Sequence, residues 1–477
     1  MLLKRFASSF HSTSRTGPFR LHPTIKQLLA APVQPEEQLV TVSGWIKSIR
    51  RQKKVSFAVL TDGSSSQGLQ AVFVGDGEGV KALTNGAAVQ LTGKLVSSPG
   101  AGQEKELVIE SKNNADLDAG EQIRILGTCD PEVYPIQKQA LSIEYLRDHS
   151  HLRARTDAIA AMIRLRDTLK KNMNTFFDDQ GFIYSHTPIL TGNDAEGAGE
   201  AFRIAQIPNT HPAATNSPDS SSSSTDNTEF FSRSAHLTVS HQLHLEALAT
   251  SLARVYTLSP CFRAEPSQTG RHLAEFWMLE AEWAFGGSGR VLDTLDGADA
   301  DVLWKGGDEA RRRAVVDAIG SAERWTRMTY TDAVKALEEH QCDVPGAFQY
   351  EPGWGRALQS EHERWIAETL VKGPVFITDY PKSLKPFYMR ENEDGKTVGC
   401  FDLIVPHMGE HILEGKMRDS FGDNLSEYQW YLDLRRYGGA PHMGFGMGFE
   451  RLVGWVGGID NIRESIPFPR WAGRMLL

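Results

Sequence analysis

The chain has 477 residues, 40% of them hydrophobic and 23% charged, and its formal net charge at pH 7 is −9. This is an ordinary globular composition, and its acidic balance excludes nucleic-acid binding by a uniformly cationic body, so any such contact must use local basic patches. No apolar run approaches the roughly 18 residues of a membrane helix, and four cysteines without CxxC spacing argue against a disulfide framework or a zinc ribbon.

Basic residues are concentrated at the N-terminus. Residues 1–54 contain ten Lys and Arg against two acids, and residues 1–35 contain five Lys and Arg and no acid. The first fifteen residues are rich in Ser, Arg and apolar side chains, without the apolar core of roughly 7–15 residues that a secretory signal needs. We therefore predict a mitochondrial presequence over 1–35 and a location in the mitochondrial matrix. The alternative is a disordered basic tail.

A group of short strands follows. Five runs with strand character lie within residues 38–112, beginning at Leu39, Val55, Leu69, Ala87 and Glu106. Five strands at this spacing predict a small β-barrel. Residues 113–155 are polar and are predicted to be a connector.

The chain then changes to a helical pattern. From about 155 to 179, the apolar positions fit one face of a helix, and Gly181 and Pro188 end it and introduce a strand. Residues 209–228 are rich in Ser, Thr, Asn, Asp and Pro and include a run of five serines. This composition is typical of a disordered loop, which we place inside a domain.

The remaining segments alternate between the two kinds of structure. Helices and Gly-rich turns are predicted over 285–350, and buried strands after residue 373. A strand followed by a helix is predicted over 440–458.

A charged hairpin carries the first candidate site. An apolar strand ends in Arg263 and Glu265, a loop leads to Arg271 and His272, and a second strand begins beside Phe276. A guanidinium group offers a planar fork to a phosphate, and a Phe ring can stack on a base. An ordinary surface hairpin with salt bridges is the alternative.

A glycine-rich segment near the C-terminus carries the second candidate site. Gly444, Gly446 and Gly448 alternate along the end of a strand, where another group can approach the backbone closely. Arg451 follows in the first turns of a helix, where it can meet a polyphosphate. Alternating glycines alone are a weak signal, and neither the Walker nor the dinucleotide-binding pattern is present.

Together these segments resemble the class II aminoacyl-tRNA synthetases. Arg263, Glu265 and Phe276 match the second signature motif of that class, and residues 448–451 match the third. Residues 157–188 match the first, which in the class forms the dimer interface.

The barrel and the hinge containing Tyr134 resemble the aspartyl, asparaginyl and lysyl subgroup, which carries an OB-fold anticodon-binding domain. The resemblance implies an α+β protein with three parts. They are a five-stranded OB-fold β-barrel over 36–115, a hinge over 116–155, and a class II catalytic domain over 156–477, with an antiparallel sheet flanked by helices.

Finer marks resemble the asparaginyl enzymes, namely Glu196-Gly-Ala-Gly-Glu-Ala-Phe202, Ser240-His-Gln242 and Arg271-His-Leu-Ala-Glu-Phe-Trp277. The implied reaction is ATP-dependent ligation of L-asparagine to tRNA(Asn) through an adenylate, with Mg²⁺, by a homodimer joined through residues 157–190. Three alternatives stay open: an aspartyl enzyme, an asparagine synthetase built on the same catalytic fold, and an inactive RNA-binding paralogue.

The resemblance also implies roles for residues that bind ATP, namely Arg263, Glu265, Arg271, His272, Phe276, Gly448 and Arg451. Arg263 would bind the α-phosphate and Arg451 the γ-phosphate, and these two would be the catalytic residues. The asparagine carboxylate is itself the nucleophile, so catalysis consists mainly of positioning and charge neutralisation. Phe276 would stack on adenine.

By the same resemblance, asparagine would be bound by Glu196, Ser240, Gln242, Glu280 and Arg418, with Ser240 and Gln242 at its α-amino end. Arg418 would donate to the side-chain carbonyl, but a carboxylate could accept the same bond. Glu280 could accept from the amide NH₂ and would repel a carboxylate, so we expect it to discriminate asparagine from aspartate.

Carboxylates are also implied for Mg²⁺, whose preferred ligands are oxygen atoms. Asp402 and Glu410 would place the ion. The segment between Glu410 and Arg418 is one residue longer than the family pattern, so Glu414 competes with Glu410. A pair of exposed acids at a strand end is the alternative.

In the barrel, Phe57 and Gln70 resemble an anticodon platform, in which the ring stacks on the central base and the amide reads its edge. Arg50 and Lys53, with the neighbouring Arg51 and Lys54, would meet phosphates. The alternative is that Phe57 is a core residue of its strand.

Overall fold

The computed structural model describes residues 21–32, 39–75, 78–100, 102–110, 122–192, 201–205, 230–267, 269–285, 303–305, 307–321, 325–386, 389–407, 411–417 and 429–477, with backbone alone at 78 and 411–417. The first twenty residues and the predicted insert over 209–228 lie outside these ranges. The chain divides into two compact units, residues 1–156 and 157–477. Among the described residues, no helix combines the length and apolar character that crossing a membrane requires.

The first unit contains a closed barrel. Its strands are β1 (Leu39–Arg51), β2 (Val55–Thr61), β3 (Leu69–Val74), β4 (Ala88–Ser97) and β5 (Lys105–Glu110). They pair in the order β1-β2-β3-β5-β4, and β4 returns to β1. Only the β3–β5 pair is parallel. The predicted five-stranded barrel is therefore confirmed.

One further strand lies outside the closure. Strand β6 (Ile123–Gly127) pairs antiparallel with β4. It belongs to the segment that we predicted as a polar connector, where Ile123 and Ile125 are the apolar residues that pack against the barrel core. Two such residues in a polar stretch are too few to indicate a strand by pattern alone.

A short helix, α1 (Ile25–Ala30), packs against the barrel. Ile25 and Leu28 are buried in its core, and the ammonium of Lys105 donates to the carbonyl of Leu28 at 3.2 Å near the end of the helix. The prediction of a presequence or disordered tail over 1–35 is therefore wrong for this helix. Its capping box, formed by Thr24 and Gln27, is a local signal in the sequence, but its contact with Lys105, 77 residues away, is recognisable only in the folded barrel.

The other helices among the described residues of the first unit are α2 (Glu78–Lys81) and α3 (Ile143–Asp148), followed by a 3₁₀ turn over Arg153–Arg155.

The second unit is built on an eight-stranded sheet. Its strands are β7 (Ile183–Tyr184), β11 (Arg254–Phe262), β12 (Glu275–Ala284), β13 (Thr326–Thr329), β14 (Val375–Thr378), β15 (Cys400–Ile404), β16 (His411–Met417) and β17 (His442–Gly448). Their order is β13-β14-β15-β16-β17-β12-β11-β7. Neighbouring strands are antiparallel except for the two outermost pairs, β13–β14 and β11–β7. The predicted antiparallel sheet is therefore confirmed for the six central strands, from β14 to β11.

Three short strands form a separate sheet in the order β8-β10-β9. They are β8 (Leu190–Thr191), β9 (Arg203–Ile204) and β10 (Ala235–Leu237).

In the part of this unit that the structure describes, the helices are α4 (Asp157–Asp179), α5 (Gln242–Leu252), α6 (Glu309–Gly320), α7 (Tyr330–Asp343), α8 (Ser360–Trp365, continued by a π turn over Ile366–Leu370), α9 (Gln429–Arg436) and α10 (Phe449–Gly457). Short 3₁₀ turns lie at Lys382–Leu384 and Ile462–Glu464. The buried face of α4 and the apolar residues of α10 share one core with β11, β12 and β17. The predicted helices over 155–179 and near 450 are thus present, and each packs on the sheet.

The glycines of β17 allow close packing against β12. Gly444 pairs with Glu282, and a Cβ added at Gly444 would lie 2.6 Å from the carbonyl oxygen of Ala281. We expect Gly444→Ala to lower the free energy of unfolding by about 2–3 kcal/mol, because overpacking forces the backbone apart. Urea denaturation measures this change.

A matched control is Gly320→Ala, because a Cβ at that helical end meets no atom within 4 Å. It should change stability by less than about 0.5 kcal/mol. Equal stability losses in the two variants would contradict the packing argument.

Candidate active site

The hairpin of β11 and β12 brings the predicted cation and aromatic together. Cys261 pairs with Phe276 across the hairpin, and the backbone N–H of Arg263 donates to the carbonyl of Ala274 at 3.0 Å. The guanidinium carbon of Arg263 lies 5.4 Å from the centroid of the Phe276 ring, within the range of a cation–π contact. A phosphate group and a flat base can therefore be bound side by side.

The hairpin loop carries the next predicted residues. Nε2 of His272 lies 3.1 Å from a carboxylate oxygen of Glu265, and its Nδ1 lies 2.7 Å from the hydroxyl of Thr269. Arg271 precedes it and is half-buried. The loop thus orients one imidazole through contacts at both ring nitrogens, next to the Arg263–Phe276 pair.

The third segment ends on the same strand. Gly448, the last residue of β17, pairs with Met278 of β12 and is the N-cap of α10. Its hypothetical Cβ would lie 3.6 Å from Cγ and Cδ of Arg451, so the stem of Arg451 passes over this glycine. Arg451 is half-buried in the first turn of the helix, directly after the last residue of β17.

One residue that we did not predict connects these segments. Glu450 is 1% exposed, and its carboxylate accepts from Arg166 at 2.7 Å and from the N–H of Trp277 at 2.9 Å. Burial raises the pKa of the Glu450 carboxyl, and Arg166 acts in the opposite direction. Glu450 therefore ties α4, β12 and α10 together directly beside Arg451. Its position next to Arg451 was the available signal in the sequence.

Three residues predicted to bind asparagine lie together. Glu280 is 2% exposed. One of its carboxylate oxygens accepts from the hydroxyl of Ser240 at 2.5 Å and the other from the N–H of His241 at 2.9 Å. Gln242 begins α5 directly beyond them and is buried. Each carboxylate oxygen has two lone pairs, so Glu280 can accept a further donor from a ligand.

Asp402 occupies a different environment from the one we expected. It is 3% exposed, so the alternative of an exposed strand-end acid is wrong. Both of its oxygens accept from the ammonium of Lys385 at 2.9 Å. An ammonium that engages both oxygens competes with a metal for the same lone pairs. The described arrangement therefore does not fit Asp402 as an Mg²⁺ ligand.

Glu410, the second predicted metal ligand, lies outside the described residues, as do Glu196 and Arg418. By backbone register, Glu414 pairs with Asp402 on one side and with Gly446 on the other, and Gly446 pairs with Glu280. Asp402, Glu414, Gly446 and Glu280 are therefore paired in succession across four neighbouring strands, and position 414 lies between the two acidic residues.

The barrel carries a separate cleft of about 400 Å³, lined by Arg50, Phe57, Gln70, Gln103 and Lys138 among others. Along β2, the buried residues are Ser56, Ala58 and Leu60, while Phe57 has the opposite parity and is half-buried. The alternative of Phe57 as a core residue is therefore wrong.

Polar neighbours contact Phe57 and Gln70, the two residues predicted to bind the anticodon in this cleft. The guanidinium carbon of Arg50 lies 5.3 Å from the Phe57 ring centroid, and the amide nitrogen of Gln70 donates to Glu106 at 3.2 Å. Lys53 lies exposed in the turn between β1 and β2. The cleft thus offers an aromatic face, an oriented amide and cations, which suit an unstacked base and its phosphates.

Two family models match the chain. The family model described as tRNA synthetases class II (D, K and N) matches residues 142–472, and the model described as OB-fold nucleic acid binding domain matches residues 40–114. The asparagine–tRNA ligase of Treponema denticola is 40% identical over 483 residues, covering 94% of this chain and 98% of that protein. That of Rhodopirellula baltica is 43% identical over 466 residues, covering 91% and 90%.

Solved structures are similar over the same extent. The crystal structure of asparaginyl-tRNA synthetase from Pyrococcus horikoshii complexed with asparaginyl-adenylate superposes with a TM-score of 0.73 at 27% identity, covering 96% of this chain and 100% of that chain. The asparaginyl-tRNA synthetase of Entamoeba histolytica gives a TM-score of 0.71 at 25% identity, covering 92% and 97%.

Proposed function

Because the chain belongs to the class II tRNA synthetases of the D, K and N type, within which these curated relatives are asparagine–tRNA ligases, we propose that it ligates L-asparagine to tRNA(Asn). The observation that carries the proposal is the contact of Arg263 with Phe276 on the β11–β12 hairpin. It combines a permanent cation with a flat aromatic face, which is what the α-phosphate and the adenine ring of ATP require.

The first step needs little acid–base chemistry. The asparagine carboxylate attacks the α-phosphorus of ATP, a phosphoanhydride bond breaks, and pyrophosphate leaves. Arg263 neutralises charge at the α-phosphate and Arg451 at the γ-phosphate, so the two cations stabilise both ends of the displacement. Mg²⁺ arrives with ATP as part of the substrate.

The second step transfers the amino acid to RNA. A ribose hydroxyl at the end of tRNA(Asn) attacks the carbonyl of the asparaginyl-adenylate, and AMP leaves. The barrel contributes recognition of the anticodon, through the cleft that contains Phe57 and Gln70.

The direct test is amino-acid-dependent ATP–pyrophosphate exchange with the full chain, with asparagine and aspartate measured side by side. Exchange with asparagine alone is expected. Exchange with aspartate as well or instead would favour the aspartyl alternative, and no exchange with either would favour the inactive paralogue. An asparagine product that is not attached to tRNA would favour the synthetase alternative.

The anticodon cleft gives a second test. We expect Phe57→Ala to raise the KM for tRNA(Asn) about 10- to 100-fold, because one stacked base contributes about 1–3 kcal/mol. ATP–pyrophosphate exchange, which needs no tRNA, should be unchanged, and Phe57→Trp should retain charging because it retains a stacking face. Steady-state charging kinetics measure these values. A normal KM in Phe57→Ala would remove this residue from the anticodon site.

The oligomeric state is also a proposal. The outermost strand β7 carries exposed apolar side chains at Ile183 and Tyr184, and Ile189 and Leu190 are exposed a few residues later. All four lie in the segment 157–190 that resembles the dimer-forming motif. Burying them against a second copy would remove an exposed apolar patch from water. Sedimentation equilibrium should give twice the chain mass of 52.9 kDa, and a monomer at all micromolar concentrations would contradict the proposal.

We further propose mitochondrial matrix localisation, supported by the composition of residues 1–20. Since Ile25 and Leu28 of α1 are buried, cleavage must leave α1 attached to the barrel. A C-terminal fluorescent fusion should reach mitochondria, and the same fusion without residues 2–20 should not. Equal distributions of the two fusions would exclude a targeting role for this segment.

A further inference from the structure

A buried polar network lies beside Glu280 and the start of α5. Its members are Gln242, Glu246, Glu282, Tyr431, Arg435 and His442. Glu246 and Glu282 are 0% and 1% exposed, and Gln242 is 3% exposed. Carboxylates buried to this degree are costly unless other groups satisfy them, so the partners of each are informative.

At the end of the network that lies away from Glu280, the carboxylate of Glu246 has a hydrogen-bond partner on each side. Glu246 accepts hydrogen bonds from the hydroxyl of Tyr431 and from the guanidinium of Arg435. Its Oε1 also lies 2.7 Å from Nε2 of His442, whose Nδ1 lies 2.8 Å from the carbonyl of Ala440. Both ring nitrogens of His442 thus face oxygen atoms. Arg435 and His442 are therefore the basic side chains that face the carboxylates of the network.

At the other end of the network, Glu282 determines the orientation of the side-chain amide of Gln242. Nε2 of Gln242 lies 2.7 Å from Oε2 of Glu282. An ionised carboxylate only accepts hydrogen bonds, so the amide must present its NH₂ group to Glu282. The carbonyl oxygen of Gln242 then points away from Glu282. An outward carbonyl oxygen is the acceptor that the α-ammonium group of an amino acid requires.

Glu282 is itself held in one position. Its carboxylate lies against Gly444, where any side chain would collide with it, and its Oε1 lies 3.8 Å from Nε2 of His442. A carboxylate confined on both sides can fix the rotamer and the amide orientation of the glutamine that it accepts from.

We propose that Glu282 is a positioning residue for asparagine, which acts by fixing the amide of Gln242 so that its oxygen faces the α-ammonium group. The network through His442 and Glu246 anchors Glu282 to α5 and α9. This inference rests on the proposed function, because it takes asparagine as the substrate from there, with the contact at Gln242 that the family resemblance implies.

The test is a double-mutant cycle in ATP–pyrophosphate exchange with the full chain. Glu282→Gln makes the partner of Gln242 able to donate as well as accept, so the amide orientation is no longer fixed. We expect the KM for asparagine to rise about 10- to 100-fold, the range for a hydrogen bond to a charged group, with the KM for ATP unchanged. Gln242→Ala should give a similar rise.

The decisive comparison is the double variant. If Glu282 acts through Gln242, adding Glu282→Gln to Gln242→Ala changes the KM for asparagine by less than about twofold, whereas independent effects would multiply. Glu361→Gln is a matched control, since this carboxylate of the same unit accepts from the N–H groups of Gln349 and Tyr350 in a surface loop. It should leave both KM values unchanged.

If Glu282→Gln does not fold, His442→Asn replaces it, because it removes the side chain that confines Glu282. The same non-additivity with Gln242→Ala is then expected. An unchanged KM for asparagine, or multiplied effects in the double variant, would overturn the positioning role while exchange in the wild type still supports the proposed function. Absence of asparagine-dependent exchange in the wild type would overturn both.

Discussion

Alanine in place of Arg263 is expected to lower asparagine-dependent ATP–pyrophosphate exchange by about 10³-fold or more. Removing a positioned cation from developing phosphoryl charge costs about 10³- to 10⁵-fold in comparable phosphoryl-transfer sites. Lysine should restore only part of the rate, because an ammonium lacks the planar fork and the stacking surface that Arg263 presents to Phe276.

A matched control separates this effect from the loss of a cation–π contact. Arg327, on the outermost strand β13, lies 5.6 Å from the ring of Phe376 and is exposed. Arg327→Ala removes a contact of the same kind outside the site, so exchange should stay within about twofold of the wild type. If Arg263→Ala kept more than a tenth of the exchange activity, Arg263 would not be the α-phosphate ligand.

The proximity of Arg263 to Phe276 could be predicted from the sequence because it depends on local pairing. Two apolar strands joined by one loop form a hairpin, and the register then places the end of one beside the start of the other. The barrel could be predicted for the same reason, since alternation along each strand reports which face is buried.

The polar partnerships could not be predicted. Arg166 and Glu450 are 284 residues apart, and His442 and Glu246 are 196 apart. A buried ion pair leaves no periodic pattern in either segment, because its two members lie in separate parts of the chain. The contact between Lys385 and Asp402, which disfavours a metal at Asp402, depends in the same way on the folded chain.

Glutamine in place of Glu280 is expected to reduce the preference for asparagine over aspartate by about 10²-fold or more. A polar site that rejects a near-isosteric competitor through one unfavourable partner can reach about 10⁴-fold discrimination. Glu280 would repel the aspartate carboxylate, whereas a neutral amide at this position would not. The ratio of kcat/KM for the two amino acids in the exchange assay measures the change.

The contacts of Glu280 indicate that this variant can still fold. The amide oxygen of the new side chain can accept from the N–H of His241, and its NH₂ can donate to the hydroxyl of Ser240, which accepts as well as donates. That NH₂ group also presents a donor where Glu280 presented only acceptors, which favours a carboxylate substrate.

Ser240→Ala is the matched control, because it removes one partner of Glu280 and leaves its charge in place. Both amino acids share the α-amino end that Ser240 is proposed to bind, so this variant should weaken both and keep their ratio within about threefold. If Glu280→Gln kept the wild-type ratio, charge at position 280 would not reject aspartate. If Ser240→Ala lost the ratio to the same extent, discrimination would depend on the geometry of the α5 N-terminus instead of on the charge of Glu280.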